Sequence, residues 1–174
     1  MKTSRLITTI ILIVFAIMKL QAQSPMKAMG KYAGNWKAEF SMWMDPSQPP
    51  MIEQLTVHRE MIMNGLFLSS RYTGFSMGMN YEGIGTLGYS MEKKMYVSSW
   101  IDNMNSGISY MEGKASSDGK SIEFHGTATD VTTGKDILMR QVLTFIDDTH
   151  QKIEIFVTTA GKEAKTIEFN LTKL

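Results

Sequence analysis

From Trp36 onward the chain alternates. Trp36, Ala38, Phe40, Met42 and Met44 share one parity, while Lys37, Glu39, Ser41 and Trp43 share the other. A period of two sends neighbouring side chains to opposite faces of a strand, here apolar on one side and mostly polar on the other. The alternation returns over residues 121–130, where Ile122, Phe124, Gly126 and Ala128 interleave with Glu123, His125, Thr127 and Thr129. It returns again over 136–145, with Ile137, Met139, Leu143 and Phe145 on one face. Short polar or glycine-rich breaks separate such runs: the three-proline stretch 45–50, Asn64-Gly65, 74–78, 90–94, 103–106, 117–120, 132–134, 147–151 and Gly161. Asn64-Gly65 is the strongest two-residue hairpin signal in the chain.

The pattern predicts ten strands, at 36–44, 52–63, 66–73, 79–89, 95–102, 107–114, 121–130, 136–145, 152–160 and 164–174. No run is long enough for a crossover helix, so the class is all-β and each strand pairs with its neighbours in sequence. An up-and-down antiparallel meander of about 8–10 strands removes its sheet edges by closing into a barrel. Closure needs bends. The hairpin 81–102 supplies them, because Gly83, Gly85 and Gly88 thin its first strand while Tyr96 and Trp100 thicken its second. Residues 34–174 form one barrel domain. Residues 23–33 form a short helical lead-in, with Pro25 at a first helical position, Met26 and Met29 on one face and Gly30 at its end.

The first 22 residues are of another kind. Lys2 and Arg5 give a basic start, 6–18 is an apolar run, and Leu20-Gln21-Ala22 suits cleavage. This is the pattern of a signal peptide, with an apolar run too short to span a membrane. The expected location is therefore the periplasm or outside the cell, with no membrane span in the mature chain. Removing Lys2, Arg5 and Lys19 from 18 basic residues leaves 15 against 17 acidic ones, a net −2. That balance gives no reason to expect nucleic acid as a partner. The chain has no cysteine, hence no disulfide framework, no thiol nucleophile and no cysteine for lipid attachment.

Gly34-Asn35-Trp36, just before the first strand, resembles the Gly-x-Trp signature of lipocalins and related barrels, in which the tryptophan plugs one barrel end. A longer pattern follows: Met44-Asp45-Pro46 with Pro49-Pro50, Gly83-Ile84-Gly85, Gly88-Tyr89, Lys94-x-Tyr96, Trp100-x-Asp102 and Gly107. Together these resemble the bacterial "domain of unknown function 1579" family, from about Met29 to the C-terminus. Ser90 stands where an acidic residue is expected, and Asn64-Gly65-Leu66 replaces a more glycine-rich turn. The resemblance implies a calycin-like barrel and no particular chemistry.

Methionine is abundant, 16 in all, and three pairs are spaced Met-x-Met: Met42/Met44, Met61/Met63 and Met77/Met79. On a strand each pair would share a face. Three readings are open: core filling, an adaptable lining for an apolar ligand, and a thioether site for Cu(I). The histidines His58, His125 and His150 are scattered and show no metal spacing. Haem held through one axial histidine would have only His58 or His125 to use. No cofactor and no metal is expected from these patterns. There is no nucleophile elbow, zinc-protease motif, phosphate loop or dinucleotide fingerprint. Asp102 beside Trp100 is either a turn cap or a general base, with Glu82 across the hairpin. Arg59, Arg71 and Arg140 interrupt apolar strands, and alternation makes Arg59 and Arg140 the better inward candidates.

The sequence thus points to a barrel whose interior takes a small apolar or amphipathic molecule. Its candidate lining is Trp36, Phe40, Met42, Met61, Met63, Phe67, Tyr81, Tyr89, Tyr96, Trp100, Tyr110 and Phe124, with Arg59 and Arg140. The alternatives are a barrel enzyme, an isomerase or hydrolase acting through a carboxylate such as Asp102, and a filled barrel serving as an interaction module.

Overall fold

The computed structural model describes residues 25–130 and 133–174. The signal-peptide expectation falls on residues 1–22 and lies outside them. The described chain opens with helix α1 (Met26–Met29) and a single 3-10 turn (Gly30–Tyr32). Ten strands follow: β1 (Gly34–Met42), β2 (Met51–Ile62), β3 (Phe67–Ser76), β4 (Met79–Ser90), β5 (Met95–Asp102), β6 (Ser109–Ala115), β7 (Ser121–Thr129), β8 (Asp136–Phe145), β9 (His150–Thr159) and β10 (Lys162–Lys173). Each pairs antiparallel with its sequence neighbours, and β10 closes on β1 from Trp36↔Lys173 to Met42↔Ile167. The result is the closed up-and-down barrel that the alternation implied, and no sheet edge is left open.

The period of two is visible as burial. In β1, Trp36, Ala38 and Phe40 are buried between exposed Asn35, Lys37 and Glu39. In β2, Leu55, Val57 and Arg59 are buried between exposed Gln54, Thr56, His58 and Glu60. The interior is lined by one parity from every strand, and Leu55, Val57, Leu68, Tyr72, Phe124 and Phe169 are among its most buried members.

One end of the barrel is stopped. A four-residue helix has no stability of its own, so α1 is held by what it buries: Met26 is wholly covered, Met29 and Tyr32 nearly so. Tyr32 stacks on Phe145 with ring centroids 5.1 Å apart. Its carbonyl accepts the indole N–H of fully buried Trp36 at 3.0 Å. The Gly-x-Trp motif thus does here what its resemblance implied.

The turns correct the sequence reading in three places. Asn64-Gly65 lies in a four-residue loop, 63–66, between the pair Ile62↔Phe67. Met63, Asn64 and Gly65 all have positive φ, and Ile62 and Met63 accept from Gly65 and Leu66. The two-residue hairpins are Met77-Gly78 and Ala160-Gly161, whose paired positive φ values are those of a type I′ turn. Gly74 does not begin a turn; it lies within β3 opposite Leu55, where a Cβ would meet Leu55 Cδ2 at 2.5 Å. Gln151, read as a turn residue, is inside β9 and paired with Phe145 and Leu171.

Asp147 organises the β8–β9 turn, accepting from the Thr149 hydroxyl and from the backbone N–H groups of Thr149 and His150. The Thr149 contacts come first among the causes that pull its carboxyl down to about 2. A depressed carboxyl stabilises the turn fully above its unfolded value and loses that contribution as pH falls through the folded one. Asp147 is therefore expected to titrate near pH 2, and the turn's amides to lose protection between about pH 4 and pH 2. A carboxyl-carbon NMR titration checks this, and an Asp147 midpoint at the ordinary 3.8 would contradict it.

Candidate functional site

The barrel encloses a cavity of about 410 Å³. It begins against Met29 and Tyr32 at the stopped end, and rises past Phe124, Leu143 and Phe169. It reaches Met77, Met104 and Asn105, exposed loop residues at the opposite end, which form its mouth. The lining is mostly apolar, with serine hydroxyls from inward-facing Ser70 and Ser98 and, among the described residues, two charged side chains, Arg59 and Asp102. Ligand pockets of about 300–1,000 Å³ with a few convergent polar groups have this character.

Glycines shape the cavity wall. Gly83 and Gly85 lie beside Trp100, and a Cβ on Gly83 would fall 2.5 Å from the indole. Their missing side chains let Trp100 lie flat along β4, edge-on to Tyr72 at 5.1 Å. The Trp100 N–H donates to Asp102 Oδ2 at 2.7 Å. Asp102 Oδ1 accepts from the backbone N–H groups of Met104 and Asn105 and from the Asn105 side chain. Both carboxylate oxygens are thus engaged in fixing the indole and the β5–β6 loop, and the turn-cap reading of Asp102 describes its contacts. Tyr81, buried near Asp102, has its phenol pushed well up, first by burial and then by the Asp102 and Tyr72 oxygens. It remains a neutral hydroxyl.

Arg59 stands at the stopped end. It is 4% exposed, its guanidinium lies 4.7 Å over the Trp36 ring, and it donates to Gln151 Oε1 at 2.6 Å. A long contact of 3.5 Å reaches the Tyr72 hydroxyl. Among the described residues no carboxylate pairs with it.

Of the fourteen residues singled out from the sequence, the structure brings Phe40, Met42, Arg59, Tyr81 and Trp100 together on the cavity wall. Trp36 lies beneath them in the plug. Met61 faces inward and packs against the core, with its Cγ 3.9 Å from where a Gly30 Cβ would stand. Tyr89 and Tyr96 form a cross-strand, edge-to-face pair at 5.1 Å that also packs against the core and does not line the cavity. Three residues lie elsewhere. Met63 is 68% exposed, because its positive φ in the β2–β3 loop ends the alternation. Tyr110 pairs with Ser99 and Thr127 on the outer face and donates to Glu112. Arg140 is also on the outer face, over Phe156 at 4.0 Å and bound to Glu163 at 2.6 and 2.8 Å. It is flanked by Leu138 and Val142 of its own parity, which made the outer face look like the inner one. Of the two remaining lining candidates, Phe124 lies on the cavity wall, whereas Phe67 lies on the outer parity of β3 and covers Gly88.

The Met-x-Met pairs do not converge either. Met42 ends β1 and Met44 is already in a loop, 76% exposed. Met77 and Met79 straddle a turn and are exposed. Period two holds only within a strand. His58 and His125 are exposed on the outside, bound to Asn35 and Glu123, so neither can serve as an axial ligand to a group inside. No group of three or more His, Cys, Asp or Glu side chains placed to hold a metal ion exists among the described residues.

Sequence reasoning missed Tyr72, Gln151, Met139 and Phe169. Tyr72, Met139 and Phe169 have the inward parity of their strands and could have been found by counting from Leu68, Leu143 and Leu171. Gln151 gave no such signal, being polar and next to a turn.

A ten-stranded up-and-down barrel, stopped by a Gly-x-Trp plug and hollow towards its other end, is a calycin-like barrel. The chain belongs to the family described as "Protein of unknown function (DUF1579)", whose model matches residues 21–173. No curated protein matches it. Among solved structures it is similar to Rv2717c from M. tuberculosis, with a TM-score of 0.63 and 15% identity over 87% of this chain and 98% of that one. At that identity the likeness concerns the fold. No helix among the described residues is long and apolar enough to cross a membrane.

Proposed function

We propose that the chain is a secreted or periplasmic barrel that binds a small apolar or amphipathic molecule in its interior. The observation that carries this is the hollow itself. About 410 Å³ of mostly apolar space is held inside a sheet that could have filled it with larger side chains. Small side chains occupy inward positions at Ser70, opposite Gly85, and at Ser98, opposite Leu87. Protein interiors are otherwise close-packed, and unfilled apolar volume costs stability. The basic start and apolar run of residues 1–22 support export. The engaged oxygens of Asp102 favour binding over carboxylate catalysis.

A cavity-filling variant tests the reading. Ser98 lines the cavity between Leu87 and Met111. Ser98→Trp is expected to leave a folded barrel and to weaken uptake of the neutral dye Nile red by about tenfold or more. Dye fluorescence that does not rise with wild-type protein, or rises equally with the variant, would count against an internal site.

A further inference from the structure

We infer that the molecule is a single-tailed carboxylic acid, bound with its carboxylate down at Arg59 and Gln151 and its tail towards the mouth. This rests on the cavity being the binding site.

The stopped end holds two buried donors in excess. Arg59 Nε and Gln151 Nε2 are shielded from solvent and have no hydrogen-bond partner among the described residues. Both residues line the cavity, at 4% and 2% exposure. The amide orientation is fixed by chemistry: a guanidinium only donates, so the atom it meets at 2.6 Å must be Gln151 Oε1, which leaves the NH₂ free. A buried arginine without a counter-charge is costly, and so is each unpaired donor. What would satisfy both is an acceptor-only group with a negative charge. A carboxylate has that form and pairs with guanidinium better than a neutral acceptor does.

The remaining charges give the direction. Asp102 ends β5 at the mouth side. Glu53, on the inward parity of β2, has Oε1 engaged by the Met77 N–H and Oε2 buried and unpaired. Along β2 it stands six residues from Arg59, about 20 Å at the usual rise per residue. A carboxylate near the mouth would meet like charge, whereas at the floor it meets Arg59, the one cation on the cavity wall among the described residues. One positive charge suits a monoanion. Between floor and mouth the wall is mostly apolar, as a hydrocarbon tail requires.

The test compares dodecanoic acid with dodecanol, at mildly alkaline pH, as competitors for Nile red on the full-length mature protein. The acid is expected to displace the dye at about tenfold lower concentration than the alcohol, the margin of a charge-assisted hydrogen bond over a neutral one. In the double variant Arg59→Met, Gln151→Leu, which removes the donors together with the acceptor between them, that preference should vanish. Equal displacement by acid and alcohol in the wild type, or an unchanged preference in the double variant, would overturn the inference. The wild-type comparison decides even if the variant does not fold. Failure of the dye to bind the wild type at all would sink the parent reading instead, so the two failures are told apart.

Discussion

Replacing Gly113 with valine is expected to abolish the folded barrel at room temperature or to cost it most of its stability. Gly113 is paired with Tyr96 on one side and Phe124 on the other. A Cβ there would lie 2.2 Å from the Glu123 carbonyl oxygen and 2.8 Å from the Phe124 ring. The first obstacle is backbone, so no side-chain rotation relieves it; β7 must separate from β6 at a point where the sheet curves. Overpacking costs about 1–3 kcal/mol where side chains can yield and more where they cannot. Gly107→Val is the control. Its Cβ would meet only the end of the Asn105 side chain, at 3.3 Å, and its φ lies outside the left-handed region. Urea denaturation of both variants checks the expectation; a Gly113→Val midpoint within error of the wild type would contradict the close approach of β6 and β7.

The second large effect is expected at the plug. Trp36→Ala should lose about 3–5 kcal/mol, the cost of emptying a buried aromatic site. Trp36 is wholly buried, its N–H satisfies the Tyr32 carbonyl, and its ring lies beneath the Arg59 guanidinium. Its loss would leave that carbonyl without its donor and the buried cation without its aromatic face, and loosen α1 from the barrel floor. Trp43→Ala provides the comparison, since Trp43 is half-buried just outside β1 beneath Lys165 at 4.8 Å. It should cost less than about 1 kcal/mol, as surface sites away from special features usually do. Equal losses at the two tryptophans would deny Trp36 its role as the plug.

Much of the architecture was legible in the chain because a half-buried strand writes its burial as alternation. The ten strands and their antiparallel order follow from that alternation and from breaks too short for crossovers. The failures lie where alternation stops carrying information. Met44, Met63 and Met79 sat at the right spacing but at strand ends or turns, where the backbone no longer flips side to side. Arg140 showed a second limit: an outer face carrying Leu138 and Val142 is as apolar as an inner one, so parity alone could not place it. The hollow was not legible at all. It depends on where small inward residues fall in the closed sheet, Ser70 opposite Gly85 and Ser98 between Leu87 and Met111, a matter of register that the sequence does not show. Gln151 belongs with these, since its meaning comes from Arg59, ninety-two positions away along the chain.

The abundance of methionine supplies the probes for the most direct test of an occupied interior. With methionine methyl groups labelled, NMR spectra recorded during titration with dodecanoic acid should show shifts at Met42, Met111 and Met139, which line the cavity. Contacts from the ligand's chain to those methyls should appear as well. Met44 and Met63, exposed at 76% and 68%, should stay where they are. Shifts confined to the exposed methyls, with the interior ones unmoved at saturation, would mean that the molecule binds outside and that the barrel is not a container.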